Sequence, residues 1–341
     1  MNRSSFRFLL SAAVVALSAG AVASVEAAPY TSLVVLGDSL SDNGNNALAG
    51  LYDPAQVVSG NTYVPSSTYA PAMTYTNGPV WASYFAGLLG VPLLPSLAGG
   101  TDFAFGGATT GTPGSGPGGF PYSLLTQTTQ YLTVAGNVAP ASALYVVAGG
   151  GNNARAALGA VAGGANPATT AAATAASFAA DVGSIVDQLQ AAGAQHIVVW
   201  NTPNLGLAPA VSAAGAAAFG SFLAGTMNGA LATRLAGEAG VSIFDAYGFG
   251  TTLAANPAAF GFTNVTDACG AAAGADCSKY AYWDGIHPTT AVHAAVANAM
   301  LVAVIPEPET YALFALGLAV VAWRGKAGTR AGRDVSSPTG R

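Results

Sequence analysis

Ser39 follows an apolar run, Ser32 to Leu36, after only Gly37 and Asp38. A serine hydroxyl is a weak nucleophile until a neighbouring base takes its proton. The chain offers three histidines for that role. His196, in Gln195-His196-Ile197, opens an apolar run. It therefore falls at the sheet edge opposite a strand-terminal serine and reads as structural. His293 falls inside a helical pattern and reads as a packed or surface residue. His287 lies in Tyr282-Trp283-Asp284-Gly285-Ile286-His287-Pro288, a short segment before a helical stretch. Asp284 is three residues earlier, and a turn can bring its carboxylate to the imidazole. There it would hold the ring and stabilise the imidazolium formed as Ser39 attacks an acyl carbon. An Asp-x-x-His is a weak signal by itself. Paired with a strand-terminal serine near the other end of the chain, it makes Ser39, Asp284 and His287 the candidate catalytic residues. An imidazole base predicts activity that rises with pH as the ring becomes neutral.

These residues need a frame. Ser32 to Leu36, Ala143 to Val147, Ile197 to Trp200 and Val241 to Phe244 are short apolar runs without polar alternation. Such runs suit strands covered on both faces, as in a parallel sheet. Between them, Ser177 to Ala192 carries Phe178, Val182, Ile185, Val186 and Leu189 at nearly helical spacing. Phe219 to Ala239 and Thr290 to Val304 are further helix candidates, whereas Gly99 to Gly119 and Asn256 to Ser278 read as loops. The Ala-rich stretch Ala154 to Ala176 resembles low complexity. Strand–helix alternation predicts an α/β fold with helices on both faces of a mostly parallel central sheet. Ser39 then sits at the carboxyl edge, where open α/β sheets place their sites.

Gly37-Asp38-Ser39-Leu40 near the start and Asp284-x-x-His287-Pro288 near the end resemble the GDSL, or SGNH, serine hydrolases. Two middle blocks fit in order. Asp102-Phe103-Ala104-Phe105-Gly106-Gly107-Ala108 is similar to the family's Asn-Phe-Ala-x-Gly block, which places the family glycine at Gly106. Gly150-Gly151-Asn152-Asn153 is similar to its Gly-x-Asn-Asp block, which places the asparagine at Asn152. Asp102 stands where Asn is usual, and Asn153 where Asp is usual. The resemblance implies a flavodoxin-like three-layer α/β/α sandwich. It also implies an oxyanion hole from the Ser39 N–H, the Gly106 N–H and the Asn152 side chain, donors that stabilise a tetrahedral intermediate. The implied activity is carboxylic ester hydrolysis through an acyl-serine, without a cofactor.

The ends carry different signals. Arg3 and Arg7 precede an apolar run, Phe8 to Ala19, and small residues follow. This reads as a signal peptide over 1–27, cut by signal peptidase. At the other end, Pro306-Glu307-Pro308 precedes the apolar stretch Tyr311 to Trp323 and then Arg324, Lys326, Arg330 and Arg333. The order resembles the PEP-CTERM sorting signal of Gram-negative bacteria. That resemblance implies transient inner-membrane anchoring through a C-terminal helix, recognition by an exosortase, and a cell-surface or secreted destination. The expected organisation is a hydrolase domain over 28–305 and a sorting segment over 306–341.

Composition narrows the alternatives. Only 7% of residues are charged and 52% are hydrophobic, far from a disordered chain. Residues 28–305 hold three bases against eleven acids, a formal charge of -8. No basic field exists to neutralise the phosphates of a nucleic acid. The histidines, cysteines and acids lack the spacing of a metal site. Cys269 and Cys277, eight positions apart in an exported chain, are expected to form a disulfide that braces the loop before Asp284. Two further readings stand beside hydrolysis. One is acyl transfer to a lipid or sugar hydroxyl through the same intermediate. The other is a matrix or surface protein without activity. The acyl group is left open among short-chain esters, lipids and acetylated polysaccharide.

Overall fold

The computed structural model describes residues 30–61 and 66–305. The expected signal peptide and C-terminal sorting segment lie outside the described residues. Four parallel strands form the main sheet in spatial order β1 (Ser32–Gly37), β2 (Ala143–Ala148), β3 (His196–Trp200) and β4 (Val241–Phe244). These are the four apolar runs of the sequence. Residues 101–105 extend the sheet beyond β1. The Val35 N–H donates to the Thr101 carbonyl, and the Phe103 and Phe105 N–H groups donate to Val35 and Gly37. Counted in chain order the arrangement is 2-1-3-4-5, the flavodoxin-like winding. A stretch that looks like a glycine-rich loop thus borders the sheet at its start.

Helices cover both faces. They are α1 (Trp81–Leu89), α2 (Leu124–Val134), α3 (Gly151–Ala162), α4 (Pro167–Ala191), α5 (Ala217–Arg234), α6 (Ala246–Ala255) and α7 (Thr290–Val304). Alternate strand residues point to opposite layers. Val34, Leu36, Tyr145, Val147, Ile197 and Val199 pack with α2, α4 and α5. Leu33, Val35, Leu144, Val146, Val198 and Trp200 pack with α1, α6 and α7. The fold is a three-layer α/β/α sandwich. β4 departs from the expectation of double coverage, because Ser242 and Ile243 are exposed on this edge strand.

The Ala-rich stretch, for all its low complexity, falls largely in two helices, α3 and the first half of α4. Alanine is the strongest helix former, and Asn166 starts α4 by accepting hydrogen bonds from the Ala168 and Thr169 N–H groups, with Pro167 in the first turn. The supposed second loop contains β5 (Asn264–Ala268), which pairs in parallel with β6 (Tyr280–Tyr282). The Cys269–Cys277 disulfide joins the end of β5 to the approach to β6. β6 leads directly into Asp284.

Candidate active site

Ser39 sits two residues beyond the end of β1. The strand end is clamped by Gln127, whose Oε1 accepts from the Gly37 N–H at 2.8 Å and whose Nε2 donates to the Gly37 carbonyl at 2.8 Å. A side chain at Gly37 would meet Ser41 and the Ala148 carbonyl within 2.9 Å, so the turn needs a glycine. The chain then turns through Ser41 and Asp42, whose N–H groups donate back to the Asp38 carbonyl.

From the far end of the chain, residues 284–287 form a turn organised by one carboxylate. Asp284 Oδ1 accepts from the Ile286 N–H at 2.8 Å and the His287 N–H at 2.7 Å, as short acidic side chains do in turns. The other oxygen, Oδ2, lies 2.7 Å from His287 Nδ1. His287 Nε2 lies 2.8 Å from Ser39 Oγ, across 248 positions of sequence. In the tautomer that the carboxylate selects, Nδ1 carries the proton and Nε2 accepts from the serine. Asp284 and His287 are buried, and Ser39 is half-buried.

Two aromatic side chains, given no role from sequence, complete the cluster. The Tyr69 hydroxyl donates to Asp284 Oδ2 at 2.9 Å. The Tyr75 ring stacks on His287 with centroids 5.4 Å apart, and its hydroxyl accepts from Asn46. Nothing in the spacing of these tyrosines marks them, since Asp284 and His287 lie more than 200 positions away from them.

The glycine-rich block requires a correction. The Gly106 N–H donates to Asp42 Oδ2 at 3.0 Å and so is not open to a substrate oxygen. Gly106 is packed against the Tyr75 ring, where a Cβ would collide. The N–H of Gly107, which is exposed, has no hydrogen-bond partner among the described residues. The open donor is thus one residue beyond the expected one. Asp42 is the reason: its carboxylate also accepts from Gly44, Asn45 and Asn46 N–H groups and fastens this loop to the one after Ser39. Burial raises the Asp42 carboxyl to about 6, against the lowering effect of those N–H donors. The Ser39 N–H is likewise without a partner among the described residues.

Asn152 stands in the first turn of α3. Its Nδ2 donates to the Ala108 carbonyl at 2.9 Å, which ties it to the segment just after Gly107, and leaves one amide hydrogen unassigned. Arg155 Nη1 donates to Asn152 Oδ1 at 3.0 Å and fixes which way the amide faces. The unusual Asn153 has a support role. Its amide accepts from the Thr110 N–H and donates to the Thr110 hydroxyl, which in turn donates to Asp181. The unusual Asp102 is fully buried and accepts from the Asn43 and Ala104 N–H groups. Burial, followed in order by the nearby Asp42 charge among the raising effects, holds its carboxyl well above the usual range.

The other histidines do as expected. His196 is exposed and meets Tyr30 edge to face. His293 is buried in α7, and its Nδ1 accepts from the Trp81 N–H at 3.1 Å, at the start of α1. Burial, assisted by the charge of His287, lowers His293 from 6.5 to about 3. The unfolded chain therefore binds this proton at higher pH than the folded one. Stability from this group is complete above about 6.5 and falls as pH drops towards about 3. His293→Gln removes the titration. The wild type's advantage over it in urea unfolding is expected to shrink by about 2 kcal/mol from about pH 7.5 to about pH 5. An unchanged difference would contradict a buried neutral ring.

Among the described residues, no group of three or more His, Cys, Asp or Glu side chains is placed to hold a metal ion. Nor is any described helix long and apolar enough to cross a membrane.

Comparison with known proteins follows the same lines. The GDSL-like Lipase/Acylhydrolase family matches residues 33–300. The PEP-CTERM protein-sorting motif matches residues 304–327. Lipase 1 of Photorhabdus luminescens is 32% identical over 204 residues, covering 60% of this chain and 27% of the relative. The thermolabile hemolysin of Vibrio parahaemolyticus is 27% identical over 302 residues, covering 79% of this chain and 62% of the relative. The chain thus spans between about a quarter and three-fifths of the length of these curated relatives. Among solved structures, a carbohydrate acetylesterase from Sinorhizobium meliloti is 16% identical with a TM-score of 0.44, covering 79% of this chain and 97% of that one.

Proposed function

The chain belongs to the GDSL-like lipase/acylhydrolase family, and from that premise we propose that it is an exported serine ester hydrolase. The observation that carries the reading is the unbroken hydrogen-bond chain Ser39–His287–Asp284 at the carboxyl edge of the sheet. Ser39 Oγ attacks the ester carbonyl carbon while His287 Nε2 takes the hydroxyl proton. The carbonyl π electrons move to oxygen, and the oxyanion is met by the N–H groups of Ser39 and Gly107 and by Asn152 Nδ2. Collapse expels the alcohol, which leaves with the proton from His287, and an acyl-Ser39 ester remains. Water then attacks that ester as His287 takes its proton. The carboxylic acid departs and Ser39 regains its hydrogen. Asp284 holds the imidazole and stabilises its charged form throughout.

Hydrolysis of a p-nitrophenyl ester, with labelling of Ser39 by a fluorophosphonate, tests the reading. An unlabelled serine in folded protein would favour a surface or matrix role without chemistry. Transfer of the acyl group to added alcohol in preference to water would favour an acyltransferase. Asn152→Ala is expected to lower kcat by about 10²–10³-fold with little change in KM. A loss of only a few-fold would remove Asn152 from the oxyanion hole.

The sorting motif marks the chain for export and surface sorting. In our reading, signal peptidase removes 1–27 and the domain 28–305 acts outside the cytoplasm. The segment 306–341 anchors it transiently in the inner membrane of a Gram-negative cell until an exosortase cuts.

A further inference from the structure

A cavity of about 160 Å³ opens beside Ser39 and runs into the layer between the sheet and helices α6 and α7. Ser39, His287 and Asn152 stand at its catalytic end. Its wall is mostly apolar, with Trp200 and Phe244 at the ends of β3 and β4, Phe249 and Leu253 from α6, and Val292 and Val296 from α7. Asp38, Arg155, Asn204 and His293 also border it. Protein interiors leave few voids larger than a water molecule, so a space of this size next to a nucleophile calls for an occupant. Water fits it poorly, because an apolar wall offers few partners. Trp200 Nε1, on the same wall, is buried without a hydrogen-bond partner.

Resting on the serine-esterase reading, the geometry points to this cavity as the seat of the substrate's acyl chain, and to esters of medium-chain fatty acids as the substrate class. An apolar cavity of about 150 Å³ holds a benzene-sized group, so this one has room for on the order of six to eight methylene-sized groups. An acetyl group would leave nearly all of it empty. A chain that fills it removes apolar surface from water on both sides. The carbonyl carbon stays at Ser39 Oγ while the chain lies along the apolar wall that includes Trp200 and Val296. The trade is favourable by about fourfold in binding per methylene.

The test is a series of p-nitrophenyl esters from acetate to palmitate, with a second series in which the acyl group is fixed and the alcohol lengthens. In the wild type, kcat/KM is expected to rise about fourfold per acyl methylene to about eight carbons and then level or fall. Val296→Phe narrows the wall and is expected to lower the octanoate-to-acetate ratio at least tenfold. Phe249→Ala widens it and is expected to move the optimum to longer chains. Reading a ratio within one preparation cancels the fraction of protein that has folded. Acetate turned over as well as octanoate would overturn the acyl seat while leaving the serine esterase standing. A dependence on alcohol length with none on acyl length would do the same. No turnover of any ester, with Ser39 unlabelled by a fluorophosphonate, overturns both.

Discussion

Ser39→Ala is expected to lower ester turnover by about 10⁴–10⁶-fold while leaving the fold intact. The substitution removes one oxygen atom from a half-buried position at the mouth of the site. That oxygen is the atom 2.8 Å from His287 Nε2. Without it no acyl-enzyme forms, and only the oxyanion donors and substrate binding remain to accelerate attack by water. The Ser39 hydroxyl has no other hydrogen-bond partner among the described residues, so stability should change by less than about 1 kcal/mol. Initial rates with a chromogenic ester, set against urea unfolding of both proteins, give the two numbers. A variant that retains a tenth of wild-type turnover would mean that another group performs the attack.

The second large effect is at Asp284. Asp284→Asn is expected to cost about 10⁴-fold in kcat, though it changes one atom. The reason is directional. Oδ1 faces two backbone N–H donors, those of Ile286 and His287. An asparagine must keep its oxygen there, since an amino group would point hydrogens at hydrogens. Its NH₂ then faces His287 Nδ1 and the Tyr69 hydroxyl, where Oδ2 now accepts. Nδ1 is forced to accept, the proton moves to Nε2, and the ring can no longer take the proton of Ser39. The turn survives because its backbone bonds survive. Fluorophosphonate labelling of Ser39 should slow in step with turnover. A loss below tenfold would show that the carboxylate does not set the tautomer.

Much of this molecule can be read without coordinates. The four principal strands are short, apolar and β-branched, and burial of both faces requires that composition wherever helices lie above and below. β4 is the exception that follows the same physics: Ser242 is exposed because β4 is an edge. α3 and the Ala-rich first half of α4 are harder to read. Their apolar residues are mostly alanine, so the periodic contrast that marks an amphipathic helix is weak, and the better signal is the Asn166-Pro167 start. The extent of the sheet was hidden for another reason. Residues 101–105 join β1 through a few backbone bonds, which any sequence can make.

At the site, the division between sequence and structure follows the range of the interaction. A serine at the end of a buried run and an Asp-x-x-His turn are local patterns, governed by strand composition and by a carboxylate capping its own backbone. Residue order therefore singles out Ser39, Asp284 and His287, which the fold then brings within hydrogen-bond distance of one another. Which glycine N–H is open depends on Asp42, which takes the Gly106 N–H from 64 positions away. Tyr69 reaches Asp284 across 215 positions, and the apolar cavity is walled by strands and helices from separate parts of the chain. Such features have no local signature. They arise when distant surfaces pack, and only the folded arrangement of the layers decides them.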